Sequence, residues 1–419
     1  LSWTPDSRKI IIQVVDREQE NVNMNMYSAS DGRFLRTILR EHDSRYAEPL
    51  DPVWFLKGDG SRFIYRTNCR DGYRNLYLCD TLGSVTRLDV KYVANDGRHV
   101  YYTSAEVSPV ENHLFRVELK RRKGRLEPGK ADRLTFGEGW HEVLMDEDCS
   151  SFIDRWSSLN NPAADPTLDW AFCEIELGTV PSADGRYENW YRLIRPKDFD
   201  PQKKYPVIVY VYGGPHSQMV RNSWLAQLRR WEMYMAQKGY LVYVQDNRGT
   251  ENRGAEFEKA IHRQCGSAET ADQLKGLEML MELPYVDRER IGVHGWSYGG
   301  FMRPDIFKVG VAGGPVIDWK WYEVRYGERY MDRPEENPEG YAASSLMGKA
   351  GKLKGKLLIC QGAVDNTVVW EHSLSFIQEC IDLGIQVDYF PYPVAEHNVM
   401  GRNRIHLMDK VSRYCEDYL

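Results

Sequence analysis

Several features are scarce in this chain of 419 residues, and each absence narrows what it can be. No stretch approaches 18 consecutive apolar residues, which excludes a membrane-crossing helix. The eight cysteines (Cys69, Cys79, Cys149, Cys173, Cys265, Cys360, Cys380 and Cys415) never form C-x-x-C, so neither a zinc knuckle nor a redox pair is signalled. They read as small buried hydrophobes. Charge of one sign is not concentrated anywhere. The net charge is −6, the pI is near 6.0, and no Lys/Arg stripe breaks the mixed pattern, which argues against a nucleic-acid partner. No N-x-S/T sequon occurs, which counts against a eukaryotic secreted protein.

Apolar residues make up 42% and charged residues 28%, a globular composition. The length exceeds one ordinary core, so two or more domains are expected. Residues 1–165 repeat one local pattern, a polar turn running straight into an apolar strand: PDSRKIIIQVV, GDGSRFIYRT, NDGRHVYYTS and DCSSFIDRWS. Its aspartates stand at Asp6, Asp59, Asp96 and Asp146. Turn chemistry and short strands at a period of roughly 40–50 residues read as about four propeller blades, part of a larger propeller. A run of unrelated hairpins in a sandwich is the alternative. The opening LSWTPDSRKI reads as the middle of a repeat, so more of the propeller is expected upstream.

Residues 166–419 follow another grammar. YPVIVYVYGG (205–214), GYLVYVQDNRG (239–249), RIGVHG (290–295), KLLICQG (356–362) and IQVDYFPYP (385–393) are apolar runs suited to strands buried on both faces. SAETADQLKGLEMLMELPYVD places Ser267 as a helix N-cap, with Leu274, Leu277 and Met281 on one face. Alternating strand and helix predict a doubly wound, mostly parallel α/β sheet.

In this half, GWSYGG follows the strand RIGVHG. The bare G-x-S-x-G pattern is weak, but a buried strand before it makes Ser297 a candidate nucleophile on a sharp turn. Gly295 and Gly299 flank it because the chain passes too close to itself there for Cβ atoms. A serine hydroxyl needs a base and an orienting acid. Asp365, just past KLLICQG, and His397, just past VDYFPYP, follow in the chain order Ser, Asp, His. His372 and His406 fall in helical patterns, and Asp388 lies mid-strand, so they are the weaker candidates. Tyr212, beside Gly213 and Gly214, can supply one oxyanion donor and the Tyr298 amide another; taken alone, Tyr212 fits packing equally well. Trp319, Tyr322 and Tyr326 fall at i, i+3 and i+7, one helix face, which fits either a pocket wall or a core. Such chemistry calls for no cofactor and no metal.

These residues carry a resemblance. Over roughly residues 180–419 the motifs YPVIVYVYGGPHSQ, DNRGTENRGAEFEKAIHRQ, GWSYGG, GPVIDWKWYEVRYGERYM, QGAVDNTV and EHN resemble the catalytic domain of the prolyl oligopeptidase family of serine peptidases, in its dipeptidyl peptidase IV branch and bacterial-like. The first half is similar, more diffusely, to that family's eight-bladed propeller, beginning about halfway through it. The resemblance implies an α/β hydrolase plus a partial β-propeller. It implies Ser297, Asp365 and His397 as triad, with Tyr212 and the Tyr298 amide as oxyanion hole. It implies a proline-accepting pocket of Tyr298, Val316, Trp319, Tyr322, Tyr326 and Val368. The expected reaction is release of N-terminal X-Pro or X-Ala dipeptides from peptides through an acyl-enzyme, by a homodimer. A periplasmic or secreted setting is the family's, and the sequence itself leaves the compartment open. The alternatives are an oligopeptidase, acylaminoacyl peptidase or esterase with the same triad, and a non-catalytic propeller binding protein.

The chain also departs from the pattern. The family's amine-binding glutamate pair and substrate-contacting arginine would lie upstream of Leu1, and neither Glu335–Glu336 nor the acidic run Asp146–Asp148 matches that motif. Arg45–Tyr46 corresponds to a propeller segment bordering the substrate cavity. Thr367 stands where the branch often has asparagine. After Gly300, only Phe301, Met302 and Arg303 precede Pro304, and three residues cannot form the helix that supports such a turn. A helix-length stretch is therefore expected to be absent from the sequence there, with a similar join at Asp89.

Overall fold

The computed structural model describes residues 1–87, 91–123, 125–159, 161, 173–224, 230–300 and 306–419. The two joins expected after Met302 and at Asp89 lie outside the described residues. The chain divides into two compact units. One comprises Leu1–Pro166, Arg221–Trp224 and Asn252–Phe257; the other comprises Thr167–Val220, Leu225–Glu251 and Glu258–Leu419.

The first unit is built of antiparallel sheets in sequence order. Ser2–Trp3, Lys9–Val15, Asn21–Ser28 and Phe34–His42 form one four-stranded sheet. Trp54–Phe55, Arg62–Thr67, Asn75–Asp80 and Val85–Arg87 form a second. Lys91–Asn95, His99–Ser104, His113–Arg122 and Arg125–Arg133 form a third. Trp140–Met145 pairs with Phe152–Ser157 in a two-stranded hairpin, so the fourth repeat is half a blade among the described residues.

The recurring aspartates explain the period. Each sits in the turn before the second strand of its sheet and accepts backbone amides there: Arg8 on Asp6 at 3.1 Å, Ser61 on Asp59 at 2.8 Å, Arg98 on Asp96 at 2.8 Å and Ser151 on Asp146 at 3.1 Å. The Ser151 hydroxyl, with its amide, holds the Asp146 carboxyl down at about 2. Alternating side chains then bury both faces of the middle sheet. Phe63 and Tyr65 pack with Ile11, Met24 and Met26 of the first sheet, while Ile64 packs with Val100, Tyr102 and Val117 of the third. Each repeat completes its neighbour's core, as stacked blades do.

The second unit is an eight-stranded mixed sheet. In chain order its strands are β1 (Ile175–Pro181), β2 (Glu188–Ile194), β3 (Tyr205–Val211), β4 (Leu241–Gln245), β5 (Val286–Trp296), β6 (Val309–Gly313), β7 (Lys356–Gly362) and β8 (Asp388–Tyr392). Their spatial order is β1-β2-β4-β3-β5-β6-β7-β8. The β1–β2 and β2–β4 pairings are antiparallel and the others parallel. The apolar runs read from the sequence correspond to β3, β4, β5, β7 and β8. The other three strands carry weaker signals. In β6 the sequence VGVAG looks too glycine-rich for a strand, yet a Cβ on Gly313 would lie 1.8 Å from the Trp296 ring, so glycine there serves close packing.

Helices α1 (Arg230–Gln237), α2 (Ser267–Glu282), α3 (Val324–Met331), α4 (Pro338–Ser344), α5 (Glu371–Asp382) and α6 (Arg402–Tyr418) accompany the sheet. Leu277 and Leu280 of α2 pack on Val207, Val209, Tyr243 and Val293. On the opposite face, Trp231 of α1 stacks edge-on against His294 at 5.2 Å and donates its indole N–H to Ser412 of α6 at 2.8 Å. Both faces are therefore covered, the α/β-hydrolase arrangement. The α2 cap differs from expectation. Gly266, not Ser267, occupies the N-cap, in a left-handed conformation (φ 84°) that favours glycine, and Ser267 is the first helical residue.

Gly276 in mid-α2 contradicts helix propensity for a visible reason. A Cβ there would fall 1.8 Å from Gln245 Oε1 and 2.4 Å from the Tyr243 hydroxyl, two buried groups bonded to each other at 2.9 Å. An exposed Gly→Ala change in a helix stabilises by about 1 kcal/mol. Gly276→Ala is expected to do the opposite, destabilising by roughly 1–3 kcal/mol through overpacking. A urea melt with a midpoint at or above that of the parent would contradict this packing.

Candidate active site

Four strands of the second unit deliver the candidate residues to one edge of the sheet. Tyr212 follows β3, Ser297 follows β5, Asp365 lies three residues past β7, and His397 lies five residues past β8. All are carboxyl ends of parallel strands, where open α/β sheets place their ligands.

At the end of β5 the chain turns abruptly into a short 3₁₀ segment, Ser297–Gly300. Ser297 has φ 60°, a left-handed conformation costly for a side-chain-bearing residue. The flanking glycines are steric necessities. A Cβ on Gly295 would lie 1.8 Å from the Gly299 carbonyl oxygen, and one on Gly299 would lie 2.0 Å from that of Val211. The turn thus closes backbone against backbone. Ser297 is 8% exposed.

Asp365 and His397 meet. Asp365 Oδ1 accepts the amides of Thr367 and Val368, both at 2.9 Å, and Oδ2 faces His397 Nδ1 at 2.7 Å. An ionised carboxylate only accepts, so Nδ1 carries the hydrogen and Nε2 is left as the basic nitrogen of the neutral ring. The two loops interlock. A Cβ on Gly362 would lie 2.3 Å from the Ala395 carbonyl oxygen, and the Trp296 indole N–H donates to the His397 carbonyl at 3.0 Å. Gly314, φ 47°, leaves room for the imidazole, since its Cβ would lie 3.2 Å from His397 Cε1. Among the described residues no hydrogen bond joins the Ser297 hydroxyl to His397. Such bonds are often long without substrate and tighten when it arrives.

The rival side chains are engaged elsewhere. His406 lies in α6 with Nδ1 at 3.0 Å from the Tyr392 hydroxyl, and Asp388 accepts the Tyr414 hydroxyl at 2.7 Å. His372, buried in α5, accepts the Ile317 amide on Nδ1 at 3.0 Å. Burial pushes its pKa down to about 4, against the weaker upward pull of Asp318 and Asp365.

The aromatic residues form a linked cluster, though not on one helix. Trp319 belongs to a 3₁₀ turn, Trp319–Trp321; Tyr322 is extended, and only Tyr326 lies in α3, which Glu323 caps. The even i, i+3, i+7 face expected from spacing is therefore broken between Trp321 and Val324, where a new N-cap restarts the chain. Even so, Trp319 lies 5.2 Å from Tyr298, 5.2 Å from Tyr322 and 6.0 Å from Tyr326, stacked on the last at 14°. Val316 and Val368 are buried, and the Val316 amide points to the Ser297 carbonyl at 3.5 Å. Burial pushes the Tyr322 phenol up to about 12 and raises the Tyr326 phenol as well, with Tyr212 among the neighbouring phenols. These rings stay uncharged at physiological pH.

Two further residues bear on the site. Thr367 donates its amide to Asp365, a backbone role open to any non-proline residue. Glu269, in the first turn of α2, accepts the Tyr298 hydroxyl and was not a sequence candidate. An acidic residue at a helix start reads as a dipole partner, and its burial is not visible in the sequence. In the first unit, Arg45 is held by Glu256 at 2.6 Å and Tyr46 is buried.

Comparison with known proteins gives one consistent picture. Residues 226–419 match the model of the prolyl oligopeptidase family, and residues 1–163 match that of the dipeptidyl peptidase IV (DPP IV) N-terminal region. Dipeptidyl peptidase 8 of Homo sapiens is 30% identical over 409 residues, which cover 80% of this chain and 45% of the relative. A crystal structure from Bacteroides ovatus, provisionally described as a dipeptidyl aminopeptidase IV, superposes with TM-score 0.89 at 38% identity, covering 100% of this chain and 66% of that one. Porphyromonas gingivalis dipeptidyl peptidase 4 superposes with TM-score 0.87 at 29% identity, covering 99% and 62%. The chain spans about half the length of the curated relatives it matches.

The His372 environment has a consequence for stability. Its folded pKa lies below the ordinary 6.5, so the unfolded chain binds a proton that the folded chain refuses between about pH 6.5 and pH 4. Stability present above pH 6.5 is lost as pH falls through that window, by roughly 3 kcal/mol at the low end. His372→Asn, which keeps an acceptor for the Ile317 amide, is expected to flatten the acid limb of urea-midpoint measurements by about that amount. An unchanged limb would contradict it.

Proposed function

The chain belongs to the prolyl oligopeptidase family, and on that premise we propose that it is a serine exopeptidase that releases X-Pro or X-Ala dipeptides from peptide N-termini. The observation that carries the reading is the 2.7 Å contact between His397 and Asp365 at the sheet edge where the strained Ser297 turn emerges.

In this mechanism Ser297 Oγ attacks the carbonyl carbon of the second substrate residue, and His397 Nε2 takes the hydroxyl proton. Asp365 holds the ring through Nδ1 and stabilises the imidazolium as it forms. The substrate carbonyl oxygen becomes an oxyanion and receives hydrogen bonds from the Tyr298 amide and the Tyr212 hydroxyl. The tetrahedral intermediate then expels the leaving amine, to which His397 returns the proton. Water, deprotonated by His397, cleaves the acyl-enzyme and regenerates Ser297.

The second substrate residue sits among Tyr298, Val316, Trp319, Tyr322, Tyr326 and Val368. Flat aromatic walls suit a pyrrolidine ring or a methyl group and crowd out longer side chains. Uncharged phenols keep that pocket apolar. The working form is a homodimer, and the reaction uses no cofactor or metal.

Ser297→Ala is expected to lower kcat/KM for a Gly-Pro or Ala-Pro chromogenic substrate by roughly 10⁴-fold or more. It should also abolish labelling by a fluorophosphonate probe. Retained turnover in that variant would overturn the nucleophile assignment. Equal cleavage of free and N-acetylated substrates would overturn the exopeptidase reading in favour of an acylaminoacyl or oligopeptidase activity.

A further inference from the structure

Beneath the Ser297 turn lies a titratable group that the mechanism above does not use. Glu269 is 4% exposed, and its Oε1 accepts the hydroxyl of Tyr298, the residue directly after the nucleophile. Its Oε2 is buried without a hydrogen-bond partner. Glu269 also lines a cavity of about 50 Å³, together with Tyr212, Tyr298, Gln273 and the strand residues Val209 and Val293. The Cys265 thiol lies beside the same phenol, and Asp272 follows one turn along α2.

A carboxyl group is an expensive choice for such a place, because burial disfavours its charge and one oxygen stays unmatched. Burial pushes its pKa up to about 7, against the hydrogen bond from Tyr298 and the amides at the start of α2. What the carboxyl gains is a grip on one ring. Tyr298 has three attachments: its backbone forms part of the strained turn, its ring lies 5.2 Å from Trp319, and its hydroxyl reaches Glu269. Fixing the hydroxyl fixes the long axis of the ring, while the contact with Trp319 bears on its plane, and the axis constrains the backbone it hangs from.

We propose that Glu269 is a positioning residue for the peptidase reaction: by clamping the Tyr298 phenol it sets both the wall of the proline pocket and the direction of the Tyr298 amide toward the oxyanion. The inference rests on the function proposed above. It ties α2 to the nucleophile turn through one side-chain bond. The group matters as an acceptor, not as a charge.

Three variants test it. Glu269→Gln keeps a carbonyl acceptor and should stay within about threefold of the parent in kcat and KM. Glu269→Leu removes the acceptor and should lower kcat by about tenfold or more, a fraction of the effect of deleting an oxyanion donor outright. KM for prolyl substrates should rise, and fluorophosphonate labelling should slow in step with kcat, because that adduct needs the amide but not the pocket. Tyr298→Phe should lower kcat similarly, and combining it with Glu269→Leu should add little further loss. Should Glu269→Leu not fold, Tyr298→Phe alone decides. Parent-like kcat and KM in the folded Leu or Phe variant would overturn the inference, as would a Gln variant as impaired as Leu. A parent chain that neither cleaves substrate nor takes the probe would instead overturn the proposed function, and the inference with it.

Discussion

The close approach of three backbone segments governs the second unit. Val211, Gly295 and Gly299 meet where any side chain at either glycine would penetrate a carbonyl oxygen. That contact brings the end of β3 against the turn after β5. It brings the Tyr212 backbone against the Ser297–Gly300 turn, since a Cβ on Gly299 would lie 2.9 Å from Tyr212 Cα. Parallel pairing of β3 with β5 in register, Val211 opposite Gly295, extends the constraint into the sheet. The remaining candidate groups are arranged around this fixed point by loops that interlock, with the carboxylate of Asp365 held by two amides before it meets the imidazole.

The first unit solves a different problem. A thin antiparallel sheet has two apolar faces and no helix to cover them. The blades cover one another, so Ile64 and its neighbour Phe63 serve two different cores from one strand. The aspartate turns set where each second strand begins and hence which residues face which neighbour. Shifting one of those turns by a single residue would exchange the two cores.

Local chemistry made part of this readable from the chain alone. Ser297, Asp365 and His397 stand in short motifs after apolar strands, and strand ends in such a sheet share one edge, where Asp365 and His397 meet. The repeat of the first unit was legible because Asp6, Asp59, Asp96 and Asp146 each solve the same turn. What escaped depends on distant partners. Strand β6 looks unlike a strand because Gly313 answers to the Trp296 ring. The α2 cap was misplaced by one residue because Gly266 adopts a left-handed conformation that leaves its serine neighbour inside the helix. The aromatic residues at 319, 322 and 326 share a cluster but not a helix, since Glu323 restarts the backbone between them. Glu269 was invisible as a site residue, for its partner lies 29 positions away.

The contact of Gly362 with the Ala395 carbonyl reaches beyond packing. It couples the lengths of two loops that are 30-odd positions apart in sequence. An insertion or deletion in either would misalign the other, so the two loops can change length only together, while single side-chain substitutions on them escape that coupling.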